Sequence, residues 1–359
     1  MADELQPIFC PNEYKITNKK NRVTNTSVNG ISRDRLITLL KKYILSENIE
    51  ESNVIAAEML SSGYYYYLWS VIFTVYVKNI HLKNIGLCIW LVEKYIYLNT
   101  LRNKHKFHLT DLGDVQEYRN NISAIISILC LEEKMPLKLK SVKNTVPIGK
   151  ISAGLAQHYY KVATATTTVS VRSAPEIFTA LSQFVENMIN GTLKQSFYWI
   201  EQLVNNKECQ IKPIDNIKFP KSIITRPSLI LWAIIYGTPE LNTRIIDSLR
   251  MIFSYFLCDD NFEGASYCAY VAVTYVKYRA RLTVKIPNIM NRHVIKQNMT
   301  VNILYKNLKQ RILSVNKNDE KIVDEILIKN ADPYSALYKP ITVKRKTRIK
   351  KIIVGGTQV

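Results

Sequence analysis

The sequence predicts an all-α protein built as two related helical bundles, and three observations carry that expectation. Apolar residues recur at i, i+3, i+4 and i+7 along most of the chain. Glycine and proline are scarce, 11 and 12 in 359 residues, too few for a turn-rich β-sandwich. Four helical segments of the first half also return in the same order in the second, the mark of an internal duplication. A hydrophobic fraction of 47% supplies a packed core. At roughly 150 residues per domain, the length suits two domains or one domain built twice.

Taken in order, the first helix runs through Leu36, Leu39, Leu40, Tyr43 and Ile44, with Ser32 as its N-cap. A second opens at Ser52, continues through Val54, Ile55, Met59 and Leu60, and ends at Gly63, a position suited to a C′ glycine. A third follows Leu68, Val71, Ile72, Val75 and Tyr76. A fourth covers Lys83 to Leu98, with Ile85, Cys88, Ile89, Val92 and Ile96 on one face. After a basic loop holding His105 and His108, a fifth spans Gln116 to Leu131. This first bundle occupies 32–134, behind an N-terminal arm at 1–31.

From Met135 to Arg172 the character changes. PLKLKSVKNTVPIGK carries two prolines and repeated lysine, and ATATTTVSVRS is a β-branched polar run that disfavours helix. The segment 135–173 reads as a linker, with one short helix near Ala156 to Val162. The second bundle then occupies 174–332. Ile177–Lys207 parallels Leu36–Gly63, Ser228–Tyr236 parallels Tyr66–Val77, Leu241–Leu257 parallels Leu82–Leu98, and Phe262–Arg279 parallels Val115–Lys134. Final helices are expected at Val301–Val315 and Glu320–Asn330, before a basic tail at 333–359.

Charge points to the partner. The chain carries 49 Lys and Arg against 29 Asp and Glu, a formal net charge of +20, and such a surplus suits a polyanion. Lys339 to Lys351 (KPITVKRKTRIKK) holds seven basic residues and no acid, and Tyr14 to Arg22 is a second basic stretch. Lys344, Arg345, Lys346, Arg348, Lys350 and Lys351 in the tail, with Lys19, Lys20 and Arg22 in the arm, are the expected phosphate contacts. Flexible basic segments suit sequence-independent binding because counterion release needs no fixed geometry. Solvated lysine-rich tails that only aid solubility are the plain alternative.

Other chemistries find little support. No G-x-x-x-x-G-K-[ST] or G-x-G-x-x-G is present, and the one glycine pair, Gly355-Gly356, lies near the end. Five histidines and six cysteines show no C-x-x-C and no H-E-x-x-H, so neither cofactor nor metal is expected. Asp259-Asp260 with Glu263 reads as helix capping, and Cys88, Cys130, Cys258 and Cys268 read as small core residues. No nucleophile–base constellation emerges, and the expectation is a protein that is not an enzyme. The longest uncharged apolar stretch, Tyr64 to Val77, is fourteen residues, short of the roughly twenty that span a bilayer. With no secretory order in MADELQPIFC, a soluble intracellular protein is expected. The tyrosine run Tyr64 to Tyr67 is expected to pack between helices with its hydroxyls at solvent, because consecutive rings point about 100° apart and form no single stacking platform.

Leu36, Leu39, Leu40, Ala56, Ala57, Met59, Leu60, Gly63, Leu68, Ile72 and Val75 form a helix-turn-helix ending in a small-residue A-x-x-L-x-x-G-like pattern, followed by a helix of bulky aliphatics. This resembles the helical C-terminal collar of clamp-loader-like AAA+ proteins of the Mgs/Rar/WRN-interacting ATPase family, which act at stalled replication forks. The likeness covers Ser32 to Lys134, with an echo at Pro175 to Arg279. The family's next segment is acidic, whereas this chain has VKNIHLKNIG, with Lys78 and Asn79 in place of the acids. The chain carries no ATPase module, so the resemblance implies only an oligomerising, DNA-proximal role. The resulting expectation is a non-enzymatic accessory factor that binds DNA and replication or repair proteins. The Lys, Asn, Ile and Tyr bias fits an AT-rich genome, such as that of a large DNA virus. The competing expectation is a virion structural protein whose basic arms neutralise packaged nucleic acid, and a third is a transcription accessory subunit.

Overall fold

A turn at residues 25–31 opens the described chain and is docked rather than free. The backbone N–H and side-chain amide of Asn29 donate to the two carboxylate oxygens of Glu58 (3.1 and 2.6 Å), and Val28 N–H donates to Ser62 Oγ. The computed structural model describes residues 25–137, 167–169, 183–188, 190–205, 211–213, 231–232, 235, 242–259, 261–278, 285 and 287–317. The described residues up to Gln310 belong to one compact unit, and a second unit begins at Arg311.

The fold is helical, as the sequence predicts. Five helices form the first part: α1 (Arg33–Leu45), α2 (Ile49–Ser61), α3 (Tyr65–Val75), α4 (Leu87–His105) and α5 (Gln116–Leu131). Ser32 holds the N-cap position of α1 through its carbonyl, which accepts from Leu36 N–H, while its side chain makes no cap bond. Helix α2 starts three residues before Ser52, because Asn48 Oδ1 accepts from Glu51 N–H and Glu50 and Glu51 favour the positive end of the dipole. Gly63 closes α2 with φ 76°, the left-handed conformation glycine adopts without strain.

The largest departure comes after α3. Tyr76–Ile80 widens into a π turn and His81–Asn84 tightens into a 3-10 turn, so α4 starts at Leu87 rather than Lys83. It then runs on to His105, where Lys106 takes the left-handed C′ conformation. Its buried stripe is Cys88, Leu91, Val92 and Leu98, which leaves Ile96 exposed. A 3-10 turn, Leu109–Asp114, leads into α5, whose bounds match the sequence reading.

Further along, residues 183–188 are helical, followed by α6 (Leu193–Asn205), α7 (Thr243–Cys258), α8 (Phe262–Tyr278) and α9 (Arg292–Lys317). Thr192 and Gln195 form a reciprocal capping box at the start of α6. Asn261 caps α8: its Oδ1 accepts from Gly264 N–H at 2.9 Å, while Asp259 takes the C-cap position of α7 and Asp260 lies outside the described residues. The polar β-branched run contributes β1 (Thr167–Val169), paired antiparallel with β2 (Ile211–Pro213). This short ribbon is the one strand pair among the described residues. Helices α6, α7 and α8 stand within downstream segments that the apolar spacing reads as helical. Helix α7 packs against α4, and α8 against the π turn as well as α6 and α7.

An aromatic column joins these parts. Tyr65, Trp69 and Phe73 recur at i, i+4 and i+8 on α3, so they line one face. Tyr65 meets Tyr118 of α5, Trp69 meets Tyr95 of α4, and Phe73 meets both Tyr95 and Tyr255 of α7, with centroids 5.1–5.9 Å apart. Tyr64 and Tyr65 are fully buried, as packing requires. The hydroxyl of Tyr65 is buried too and does not reach solvent.

His81 fixes the corner after the π turn. It is buried with φ 30°, in the region that strains residues other than glycine. Its Nδ1 accepts from Leu82 N–H and its Nε2 lies 2.7 Å from the Met135 carbonyl, an arrangement that requires the neutral ring with the proton on Nε2. Met135 N–H and Leu137 N–H in turn donate to the carbonyls of Asn79 and Lys78. Burial lowers the His81 pKa below its ordinary 6.5, partly opposed by the Met135 bond. The unfolded chain therefore binds a proton that the folded ring refuses. The stability His81 contributes is complete above pH 6.5 and is lost as pH falls below it, by at most about 1.4 kcal/mol per pH unit. Urea unfolding at intervals between pH 7.5 and 5 should show this decline, and His81→Gln should flatten it.

Candidate nucleic-acid interface

The cations singled out in the arm (Lys19, Lys20, Arg22) and in the tail (Lys344, Arg345, Lys346, Arg348, Lys350, Lys351) lie outside the described residues. Within the described residues, positive charge is unevenly placed. Residues 25–137 hold twelve Lys and Arg against eleven Asp and Glu, so that part of the molecule is near neutral. Helix α9 holds Arg292, Lys296, Lys306, Lys309, Arg311 and Lys317 and no acid. Lys285, just upstream, extends the same acid-free stretch.

Helix α9 starts where Asn291 caps it: its Oδ1 accepts from His293 N–H at 2.9 Å, and its carbonyl accepts from Ile295 N–H. Val294, Gln297, Val301, Tyr305 and Leu308 are buried, and their 3–4 residue spacing puts them on one side. On the opposite side lie Arg292, Lys296, Met299, Ile303 and Lys306, all exposed, with Met299 at 77% and Ile303 at 56%. This outward face covers about 21 Å from Arg292 to Lys306 at 1.5 Å per residue, about six phosphate steps along one strand.

Arg119 of α5 sets which side faces out. Its side chain is buried, yet every face of the guanidinium is engaged. Nε–H donates to the Gly113 carbonyl (2.5 Å), Nη1–H donates to Asn302 Oδ1 (3.1 Å), and Nη2 lies 3.5 Å from Asp114 Oδ1. The Tyr305 ring sits 3.9 Å from its central carbon, an Arg–aromatic stack. At the other end of α9, Lys296 pairs with Glu50 at 3.7 Å, both exposed, an ion pair of little energetic weight. A polar cleft beside it is lined by Glu47, Asn48 and Glu50 together with His293 and Lys296. The carboxylates of Glu47 and Glu50 in its lining give it no marked preference for an anion.

Among the described residues no three His, Cys, Asp or Glu are grouped as metal ligands. Burial pushes the Cys88 thiol up to about 12 and Cys130 to about 11, and raises Cys268 well above its ordinary value. Cys258 is exposed rather than core, with its thiol raised by partial burial and by Asp259. None of these four is a thiolate at neutral pH. No helix among the described residues is long and apolar enough to cross a membrane.

Comparison of the chain with protein-family models, with curated proteins and with solved structures finds no match in any of the three. The sequence reading concentrated on the dense terminal clusters and passed over α9. The signal was available in the run from Lys285 to Lys317, which contains no acid. Its outward direction depends on the tertiary contacts of Arg119 and could not be read locally.

Replacing Arg119 tests that anchoring. Arg119→Met leaves Asp114 and the Gly113 carbonyl without their cation and should cost about 3–5 kcal/mol. Arg119→Lys should recover only part, because one ammonium lacks the planar fork that serves separated acceptors. Chemical denaturation of the two variants beside the parent chain measures both effects.

Proposed function

We propose that this chain is a non-enzymatic helical accessory factor that binds nucleic acid, DNA in the first place, without reading its sequence, and brings it to partner proteins of replication or repair. The observation that carries the reading is the segregation of charge. A near-neutral helical body presents α9, which has no acid of its own, with Arg292, Lys296 and Lys306 on its outward side and Glu50 of α2 paired to Lys296. Phosphate contacts need cations held in a row, and they gain affinity from counterion release rather than from pocket geometry. The tail cations from Lys344 to Lys351 add contacts of the same kind. The exposed Met299 and Ile303 between them supply an apolar surface of the sort that protein partners cover. The collar resemblance supports an oligomeric scaffold, and the codon-linked composition supports an origin in a large DNA virus.

The salt dependence of binding tests the reading directly. The full chain should bind unrelated duplexes with equal affinity, and log affinity should fall linearly with log salt. Changing Arg292, Lys296 and Lys306 together to Gln should make that slope shallower by about 0.9 for each phosphate contact removed. Truncation after Pro340 should do the same independently. A parent chain that binds no duplex at low salt would overturn the proposal, and a slope unmoved by the triple variant would take α9 out of it.

A further inference from the structure

The outward face of α9 offers cations without aromatic rings, whereas one flank of α4 combines the two. From Lys94 to Thr110 the chain contains Lys94, Arg102, Lys104, Lys106, His105 and His108 and no acid. Trp90, Lys94, Tyr97 and Lys104 recur at i, i+4, i+7 and i+14, close to whole helical turns, so they share one flank. The Lys94 ammonium stands 5.9 Å from the Trp90 ring and 6.0 Å from the Tyr97 ring, and it donates to Asn121 Oδ1 of α5 at 2.8 Å. Tyr97 is 47% exposed. Glu93, the acid nearest this flank on α4, is paired with Arg244 of α7 at 2.6 Å, which offsets its charge.

A helix C-terminus ordinarily attracts cations to its dipole, and that accounts for Arg102, Lys104 and His105. It does not account for Lys94, nearly three turns upstream, or for a large ring left in water beside it. Bases of a single strand have open π faces, and a sequence-tolerant site for them pairs ring platforms with cations that follow the backbone. Duplex DNA buries those faces in its own stack and has no use for such rings.

We propose that the Trp90–Lys94–Tyr97–Lys104 flank of α4 is a stacking site for single-stranded nucleic acid, with a base on the Tyr97 ring and the strand's phosphates running along Lys94 and Lys104. The proposal rests on the nucleic-acid reading above and specifies the form of nucleic acid that this second surface takes.

The test uses the full chain, a fluorescent oligothymidylate of about 20 nucleotides and a mixed-sequence duplex of the same length, followed by anisotropy at low salt. Tyr97→Ala should weaken oligothymidylate binding about tenfold, within the range for loss of one stacked base, and leave duplex binding unchanged. Tyr97→Phe keeps the ring and should bind as the parent does. Because Tyr97 is exposed, both variants should keep the parent's melting temperature. Unchanged oligothymidylate binding by Tyr97→Ala, or an equal loss on both probes, overturns the stacking site. A parent chain that binds duplex but not oligothymidylate overturns this site alone, whereas one that binds neither overturns the nucleic-acid reading with it.

Discussion

The buried guanidinium of Arg119 is the constraint on which the rest turns. A cation removed from water is tolerated only when its donors find acceptors, and here those acceptors come from separate elements. Gly113 and Asp114 belong to the 3-10 turn before α5, and Asn302 belongs to α9. The ring of Tyr305 closes the remaining face. Satisfying one side chain therefore fixes the turn, the helix that follows it and a helix more than 180 residues later in sequence. The close approach of the turn adds to this: a Cβ on Gly113 would meet Ser61 Oγ of α2 at 2.9 Å, so glycine lets the turn lie directly on that helix. The face of α9 that reaches solvent is the face this packing leaves over.

The tyrosine run illustrates how aromatic side chains divide between interior and surface. On a helix, neighbours in sequence point apart and residues four apart align. Tyr65 thus joins Trp69 and Phe73 in the column that touches α4, α5 and α7. Tyr66 and Tyr67 turn outward and are met by arginines. Arg102 donates to the Tyr66 hydroxyl at 2.6 Å and Arg33 to that of Tyr67 at 2.9 Å, each guanidinium also lying over the ring it serves. The run reads as four similar residues but performs two kinds of work. Periodicity was enough to rule out a single stacking platform; the column itself emerges from the contacts with α4, α5 and α7.

Much of the helical architecture was legible because its signals are local. Helix α5 was bounded at both ends by apolar period alone, and Gly63 stopped α2 through its own backbone preference. The misplacements have physical causes that lie beyond a local window. Ser52 looked like a cap, but Asn48 captured the backbone N–H first. Lys83 looked helical, but a π turn and the positive φ of His81 consume the residues between α3 and α4. That backbone is held by Met135 and Leu137, more than fifty residues downstream. The outward face of α9 was half legible: its lack of acids is a sequence property, whereas its orientation comes from Arg119.

The corner at Lys78 and Asn79 is held from two directions. Here Lys78 reaches α8, pairing with Glu263 at 2.6 Å and lying 4.7 Å from the Tyr267 ring. The carbonyls of Lys78 and Asn79 meanwhile take the N–H groups of Leu137 and Met135. The positive charge of Lys78 is therefore matched within this chain, by a glutamate and a tyrosine on a downstream helix. Half-buried Lys41 stands in the same electrostatic neighbourhood, its pKa lowered by burial and by Lys78 and raised in part by Glu263. Glu263 thus serves two lysines at once, and an acid at Lys78 would set like charges facing each other across the contact between α8 and the π turn. The cation at this corner is thus tied to the packing of α8 against the π turn, and the corner is held within the chain's own fold.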